Sequence, residues 1–217
     1  MKNLKYVIHT DEQSQKTRDL LNNSLFKEDI LKKDVIYVYG NSLNNETYEN
    51  KLGQTCINII SNFTEYNSIL ALAKLSIKDS HYLNYNYLLL DDNCRVLKGF
   101  KEKTTLKNIL VNIYDLDIYW ADKTKKHNIA IYSSYAILYI FEKFVNPLIY
   151  KQFNQDNILK TNELLKKQEI FKLKKKLKQF SAKEKIISPK EKSTIYSDKI
   201  ERNITYFQSF NLIKYWI

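Results

Sequence analysis

The chain has 217 residues, of which 44% are hydrophobic, and it carries a formal net charge of +11. This length suits one large domain or two small ones, and no apolar run approaches the ~20 residues of a membrane span. The first residues reach acidic side chains after a very short apolar stretch, which argues against a signal peptide. Cys56 and Cys94 form neither a disulfide framework nor a zinc-ligand spacing. We therefore expect a soluble, reduced, cytoplasmic protein.

The first half of the chain alternates between strand and helix patterns. The alternation predicts an α/β fold with a mainly parallel sheet. Asn62 lies three residues before Glu65, which is the spacing of a capping box at a helix start. The expected strands cover residues 4–9, 34–39, 55–60 and 85–90, and the expected helices cover residues 14–26 and the stretch that Asn62 opens.

The second half of the chain is less regular. We expect the aromatic and apolar C-terminal residues 203–217 to pack back onto the domain. The other predicted elements are a helix over 104–114, strands over 116–120 and 128–133, a helix over 134–145, an amphipathic stretch over 157–180 and a polar, mobile segment over 181–193.

Positive charge is concentrated at the end of the sequence. Residues 160–217 hold 15 basic and 6 acidic residues, a net +9, whereas residues 1–159 hold 20 basic and 18 acidic residues, a net +2. A solvated helix face is the simplest interpretation of the Lys-rich part. The alternatives are weak contact with an anionic membrane and nucleic-acid binding, for which the chain has no matching fold signature.

A pair of acids follows the most apolar predicted strand. Leu88, Leu89 and Leu90 fit a central strand covered on both faces, and Asp91 and Asp92 come directly after them. Ligands of open α/β sheets bind outside the carboxyl ends of the strands, and two neighbouring carboxylates commonly hold Mg²⁺ or Mn²⁺. Such a metal stabilises a diphosphate leaving group. The alternative is that the acids cap a turn or meet solvent.

A second acidic pair, Asp115 and Asp117, has a literal Asp-x-Asp spacing. The apolar residues 118–120 continue the strand pattern after it, so this pair does not stand at a strand end. We expect surface or turn acids there.

The order of these segments resembles the GT-A-fold glycosyltransferases. The features that carry the resemblance are a strand followed by Thr-Asp, a helix with an early Arg, a second strand ending in a polar turn, and "NFTEYNSILALAKL" leading to "YLLLDDNC". Later pieces of the pattern are "HNIAIYSSYAIL" and "IYSDKIERNITYF…KYW". The chain is most similar to small single-domain members of large DNA viruses, whose corresponding strand ends in a His-Asp-Thr-Cys-like tetrad. Here Asp91, Asp92, Asn93 and Cys94 take those places.

The resemblance implies one GT-A-like (Rossmann-like) domain over residues 1–217, with a basic, partly helical C-terminal region. Residues 1–100 would bind the nucleotide sugar, residues 101–160 would form the acceptor side, and residues 161–217 would pack back. The implied activity is a metal-dependent hexosyl- or deoxyhexosyltransferase that uses a UDP-linked sugar, Mn²⁺ or Mg²⁺ and a glycan or a lipid- or protein-linked acceptor. A viral enzyme of this kind would act in the host cytoplasm.

The resemblance also assigns roles to individual residues. Asp92 and Asp91 would be catalytic and would bind the metal with Asn93. The implied donor-binding residues are Thr10, Asp11, Arg18, Gly40, Asn41, Asn62 and Asn67. The implied acceptor- or phosphate-side residues are His127, Asn128, Tyr132, Lys199 and Arg202.

Simpler structural roles are open for most of these residues. Thr10 or Asp11 would cap the first helix, Gly40 would serve its turn, and Tyr132 and Cys94 would be core residues. The other functional hypotheses are a metal-dependent nuclease or phosphotransferase acting on nucleic acid, and a non-catalytic module that binds a sugar nucleotide.

Overall fold

The computed structural model describes residues 3–11, 13–60, 66–121, 129–145, 186–187, 194–197 and 203–215. Within these ranges the helices are α1 (Gln15–Lys27), α2 (Asn67–Lys78), α3 (Phe100–Asn108) and α4 (Ser134–Ile140). The strands are β1 (Asn3–Thr10), β2 (Val35–Tyr39), β3 (Glu46–Glu49), β4 (Thr55–Asn58), β5 (Tyr85–Asp91), β6 (Cys94–Val96), β7 (Ile118–Trp120), β8 (Ala130–Ser133), β9 (Ile186–Ile187), β10 (Thr194–Ser197), β11 (Asn203–Phe207) and β12 (Leu212–Tyr215).

Eight strands form the central sheet in the order β3-β4-β2-β1-β5-β8-β7-β9. The α/β class is confirmed, but the sheet is mixed, and the expectation of a mainly parallel sheet is corrected. The pairs β1–β2, β1–β5, β2–β4 and β7–β9 are parallel, and β3–β4, β5–β8 and β7–β8 are antiparallel. The connections from β3 to β4 and from β7 to β8 are too short for a parallel crossover, so the chain returns antiparallel.

Four neighbouring strands form a parallel block within this sheet. Their spatial order is β4-β2-β1-β5. Along the chain the same four strands occur in the order β1, β2, β4, β5. The order reverses direction between β1 and β5, and a reversal of this kind is the topological switch point at which open α/β sheets bind ligands. Helix α1 connects β1 to β2, and α2 lies between β4 and β5.

The core has two layers, one on each face of the central sheet. Strand β5 supplies Tyr87 and Leu89 to the layer that contains α2 and α4, and it supplies Leu88 and Leu90 to the layer that contains α1 and Phe207. Because alternate residues of a strand point to opposite faces, this division confirms that the leucine run is a central strand covered on both sides.

A second sheet, with the order β10-β11-β12-β6, packs into the α1 layer. Its strand β6 begins three residues after the end of β5 and pairs antiparallel with β12. Phe207, Phe210 and Leu212 are fully buried. Residues of the C-terminal segment therefore contribute to the core layer beside α1.

Three local differences from the predictions have physical explanations. The sequence does not predict β3, because all four of its side chains are exposed and no apolar alternation marks it. The sequence does not predict β6 either, because a strand of only three residues is too short to show an alternating pattern. Helix α3 begins and ends earlier than the expected 104–114, and Ile109 and Leu110, which suggested the later end, are 58% and 47% exposed. None of the described helices has both the length and the apolar character that crossing a membrane requires.

Candidate functional site

The switch point brings the ends of β1 and β5 together. His9 is in register with Asp91, and the backbone N–H of Asp92 donates to the His9 carbonyl at 3.2 Å. On the next residue pair, the Thr10 hydroxyl donates to Oδ2 of Asp92 at 2.6 Å. Thr10 is only 3% exposed, whereas Asp92 is half-buried. One carboxylate is therefore held by a buried hydroxyl at the ends of β1 and β5, the place where open α/β sheets form a ligand-binding crevice.

Arg18 reaches this crevice from the end of the first turn of α1. Its Nη1 donates to Oγ1 of Thr10 at 3.4 Å and makes a short hydrogen bond to the backbone carbonyl of Asp11. The guanidinium carbon also lies 5.2 Å from the centre of the Tyr39 ring, within the range of a cation–π contact. These contacts orient a half-buried cation that shares the Thr10 hydroxyl with Asp92.

Asp11 forms the turn that precedes α1. Its Oδ1 accepts the backbone N–H groups of Gln13 at 2.9 Å and Ser14 at 2.8 Å. Two donors are satisfied locally by this side chain, which agrees with the simpler, structural alternative for Asp11. Thr10 instead faces Asp92, so the two neighbouring residues have different roles.

Gly40 lies at the end of β2 and packs closely against the start of α2. Its N–H donates to the Thr10 carbonyl at 3.1 Å. A Cβ on Gly40 would lie 2.5 Å from Nδ2 of the fully buried Asn67 and 3.4 Å from Nε2 of His9. The next residue, Asn41, takes a left-handed backbone conformation with φ of 58°. Close approach of two elements, and not a positive φ, therefore accounts for glycine at this position.

Asp91 is held by a lysine from the C-terminal sheet. The Nζ of Lys214 makes a short ion pair with Oδ2 of Asp91, and the two side chains are 11% and 26% exposed. Lys214 is brought there because it is in register with Cys94, just beyond the end of β5. Burial raises the pKa of the Cys94 thiol to about 12, and the Asp91 carboxylate adds to this shift while Lys214 opposes it.

Arg95 and Asn93 complete the turn after β5. Arg95 Nη1 donates to the Asp92 carbonyl at 3.1 Å, its guanidinium lies 5.8 Å from the Tyr215 ring, and burial lowers its pKa. The Asn93 side chain donates to the Tyr215 carbonyl at 2.6 Å, and the Tyr215 N–H donates back to the Asn93 carbonyl at 3.1 Å. The amide of Asn93 thus fastens the turn to β12.

These contacts bear on the predicted Mn²⁺ or Mg²⁺ at Asp91, Asp92 and Asn93. One oxygen of Asp91 holds an ammonium, and one oxygen of Asp92 accepts a hydroxyl. The Nδ2 of Asn93 is used by β12, whereas its buried Oδ1 has no hydrogen-bond partner among the described residues. Within the described ranges, no three His, Cys, Asp or Glu side chains form a group suited to a metal ion. A divalent cation takes about six oxygen ligands, and Mg²⁺ commonly draws only one or two of them from carboxylates and the rest from waters and phosphates. As arranged, the Asp91 carboxylate is paired with the Lys214 ammonium.

The remaining predicted residues lie elsewhere. Tyr132 is 4% exposed in β8, and its ring packs edge-on against Trp120 at 6.0 Å. This position supports the core alternative and gives no support to an acceptor contact. Asp115 is exposed and accepts the Asn112 amide, while the buried Asp117 accepts the Asn112 N–H at 3.0 Å, so both are turn acids. Asn62, His127, Asn128, Lys199 and Arg202, with the Lys-rich stretch over 157–180, lie outside the described residues.

Sequence reasoning missed four residues of the crevice, which are His9, Tyr39, Arg95 and Lys214. Only Lys214 has a signal that could have revealed it. In β12 the buried positions alternate, and Lys214 shares the inward side with Leu212. A charged residue at the buried position of an apolar strand requires a partner, and the acids after β5 are the natural candidates.

No protein-family model matches the chain, and no curated protein matches it.

Proposed function

We propose that this protein is a glycosyltransferase that moves a hexose or deoxyhexose from a nucleotide-diphosphate sugar, UDP-linked by preference, to a glycan or other acceptor. The observation that carries the proposal is the cluster at the switch point, where Thr10, Arg18 and Asp92 meet at the carboxyl ends of β1 and β5. Crevices at this position bind nucleotides in open α/β sheets. The GT-A-like fold implied by the resemblance is part of the same proposal.

The charges of the crevice support a diphosphate as the ligand. Arg18 has a planar guanidinium with several N–H groups, which suits phosphate oxygens. The backbone carbonyl of Asp11, the Thr10 hydroxyl and the Tyr39 ring orient it before any ligand arrives. Preorganised cations lose little conformational entropy on binding, so this arrangement favours affinity.

Asp92 is the carboxylate that we assign to the sugar. In the transfer, an acceptor hydroxyl oxygen bonds to the anomeric carbon and its proton passes to water. The bond from that carbon to the diphosphate oxygen breaks, and the nucleoside diphosphate leaves with the electron pair. Positive charge develops on the sugar ring in such a step. A carboxylate held in place by Thr10 stabilises that charge, and Arg18 stabilises the negative charge of the leaving diphosphate.

A two-part experiment tests the proposal. The melting temperature of the full chain is measured with UDP, GDP, ADP and CDP, each in EDTA and in Mn²⁺, because a ligand that binds only the folded state raises it. The chain is then incubated with the corresponding sugar nucleotides, and released nucleoside diphosphate is measured without and with glycan acceptors. We expect one nucleoside diphosphate to raise the melting temperature and its sugar conjugate to be turned over.

Two substitutions, each of which replaces one aspartate with asparagine and so removes one negative charge, make the result more specific. Asp92→Asn keeps an oxygen that accepts the Thr10 hydroxyl, so we expect a folded protein with turnover reduced ~100-fold or more. Asp19→Asn removes an exposed carboxylate from α1 and should leave turnover unchanged. If no nucleoside diphosphate shifts the melting temperature, the glycosyltransferase proposal is wrong.

The other two hypotheses are separated by the same measurements. A non-catalytic module would show the shift in melting temperature without turnover. The nuclease hypothesis depends on the basic stretch, which lies outside the described residues, and no contact in the crevice favours it.

A further inference from the structure

Lys214 occupies the position at which a metal would be expected if Asp91 were a metal ligand. It reaches this position through a long-range pairing, since β12 lies beside β6 and Lys214 is in register with Cys94. Lys214 as a whole is 9% exposed, and its Nζ is paired with Oδ2 of Asp91. An ammonium buried to this extent is costly unless it is paired. The pairing of β12 with β6 thus places one positive charge beside the end of β5.

Three protein cations lie around the crevice. Lys214 pairs with the Asp91 carboxylate, and Arg18 and Arg95 donate to the backbone carbonyls of Asp11 and Asp92. Those cations come from different elements, namely Arg18 in α1, Arg95 in β6 and Lys214 in β12. A divalent metal in such a crevice would neutralise neighbouring carboxylates and bind the phosphates of the donor. Lys214 already performs the first task for Asp91.

We propose that Lys214 takes the place of the divalent cation, so that the crevice binds a nucleoside diphosphate without Mn²⁺ or Mg²⁺. This inference rests on the proposed function. It assigns to the Lys214 ammonium the positive charge that a metal would otherwise supply. Lysine is a common phosphate-binding residue that acts as a point charge. Asp91 is then a positioning residue, because its carboxylate holds the ammonium at the end of β5. Asp92 remains the carboxylate assigned to the sugar.

The test compares binding in EDTA with binding in Mn²⁺, measured by calorimetry on the full chain with the nucleoside diphosphate that raises its melting temperature. We expect the wild-type dissociation constant in EDTA to lie within ~3-fold of its value in Mn²⁺. Lys214→Met should weaken binding in EDTA by at least ~10-fold, which corresponds to about 1.4 kcal/mol. Lys214→Arg, which keeps the charge, should restore most of the affinity.

Two further variants serve as controls. One shows whether a folding defect causes the loss of binding, and the other shows whether removal of any nearby positive charge does. Lys214→Met leaves Asp91 without its partner, so the double variant Asp91→Asn/Lys214→Met removes both charges together; we expect it to fold and still to bind weakly in EDTA. Lys98→Met removes an exposed lysine next to the same sheet and should bind as the wild type does.

The outcomes separate this inference from the proposed function. Wild-type binding that requires Mn²⁺, or a double variant that binds in EDTA as tightly as the wild type, overturns the role of Lys214 and leaves the glycosyltransferase proposal standing. Absence of nucleoside diphosphate binding in both EDTA and Mn²⁺ overturns the two together.

Discussion

Thr10 and Asp92 are 82 residues apart in the chain, and a 2.6 Å hydrogen bond joins the Thr10 hydroxyl to Oδ2 of Asp92. The bond crosses the switch point between β1 and β5, where the order of the parallel strands reverses. The donor is buried and its acceptor is charged, so the bond belongs to the stronger class of protein hydrogen bonds.

Replacing Thr10 with valine should test the energy of this contact. Thr10→Val keeps the side-chain shape but leaves Oδ2 of Asp92 without the hydroxyl, and it also removes the acceptor of Arg18 Nη1. We expect the free energy of unfolding to fall by about 1–3 kcal/mol, measured by urea denaturation. Thr10→Ser keeps the hydroxyl and should lose less than half of that amount. Equal losses in the two variants would mean that the methyl group, and not the hydrogen bond, matters.

The close approach between Gly40 and Asn67 leads to a second prediction. A Cβ at position 40 would lie 2.5 Å from Nδ2 of Asn67, whose side chain is fully buried and cannot swing into solvent. We expect Gly40→Ala to lower the free energy of unfolding by about 1–3 kcal/mol, as overpacking does. Urea denaturation measures the loss.

A double-mutant cycle distinguishes this clash from a backbone effect. If the clash with Asn67 causes the loss, Gly40→Ala should cost much less in an Asn67→Ala background, and the two substitutions should be non-additive by 0.5 kcal/mol or more, on the order typical of residues in contact. Additive losses would refute the explanation.

The turn before α1 supports a third prediction. Asp11 accepts two backbone N–H groups through Oδ1, and those donors would be left to water in Asp11→Ala. Loss of a comparable cap costs about 0.5–2 kcal/mol, and we expect a loss in this range by thermal or urea denaturation. Asp11→Asn keeps an acceptor oxygen and serves as the control. If asparagine destabilises as much as alanine, the negative charge, and not the hydrogen bonding, is the important property.

These contacts also indicate how far the sequence alone predicts this molecule. The strand ending in Asp91 and Asp92 is predictable, because a run of leucines followed by acids is a local signal that needs no knowledge of the partners. The α/β class follows from the same kind of periodicity. The sequence predicts acids at the end of this strand, and Asp91 is indeed the last residue of β5.

Long-range pairing explains most of what was missed. Lys214 is 123 residues from Asp91 in the sequence, and its position depends on the register of β12 against β6, which no local pattern specifies. The antiparallel pairing of β5 with β8 has the same origin, because the direction of β8 in the sheet depends on which strand it joins. The reason for Gly40 is also non-local, since it lies in the Asn67 side chain and not in the turn itself.

The fourth prediction concerns the thiol of Cys94 at alkaline pH. Burial raises the pKa of this thiol from its ordinary value of 9.0 to about 12. Above the ordinary value the unfolded chain loses a proton that the folded chain keeps, so the unfolded state is favoured as the pH rises. The stability contribution is therefore complete below about pH 9 and is lost progressively as the pH rises towards the folded-state pKa of about 12. One thiol contributes on the order of 1 kcal/mol per pH unit in that window.

Cys94→Ala isolates this contribution from that of the tyrosines, among which burial raises the pKa of Tyr39 to about 12. Urea denaturation at about pH 8 and about pH 10.5 should show a smaller loss of stability for Cys94→Ala than for the wild type, because the variant has lost one such group. The fully buried thiol should also react with a disulfide reagent only after unfolding. Rapid reaction of Cys94 in the folded protein at pH 8, followed in the Cys56→Ala background so that only one thiol reports, would contradict its burial beside Asp91.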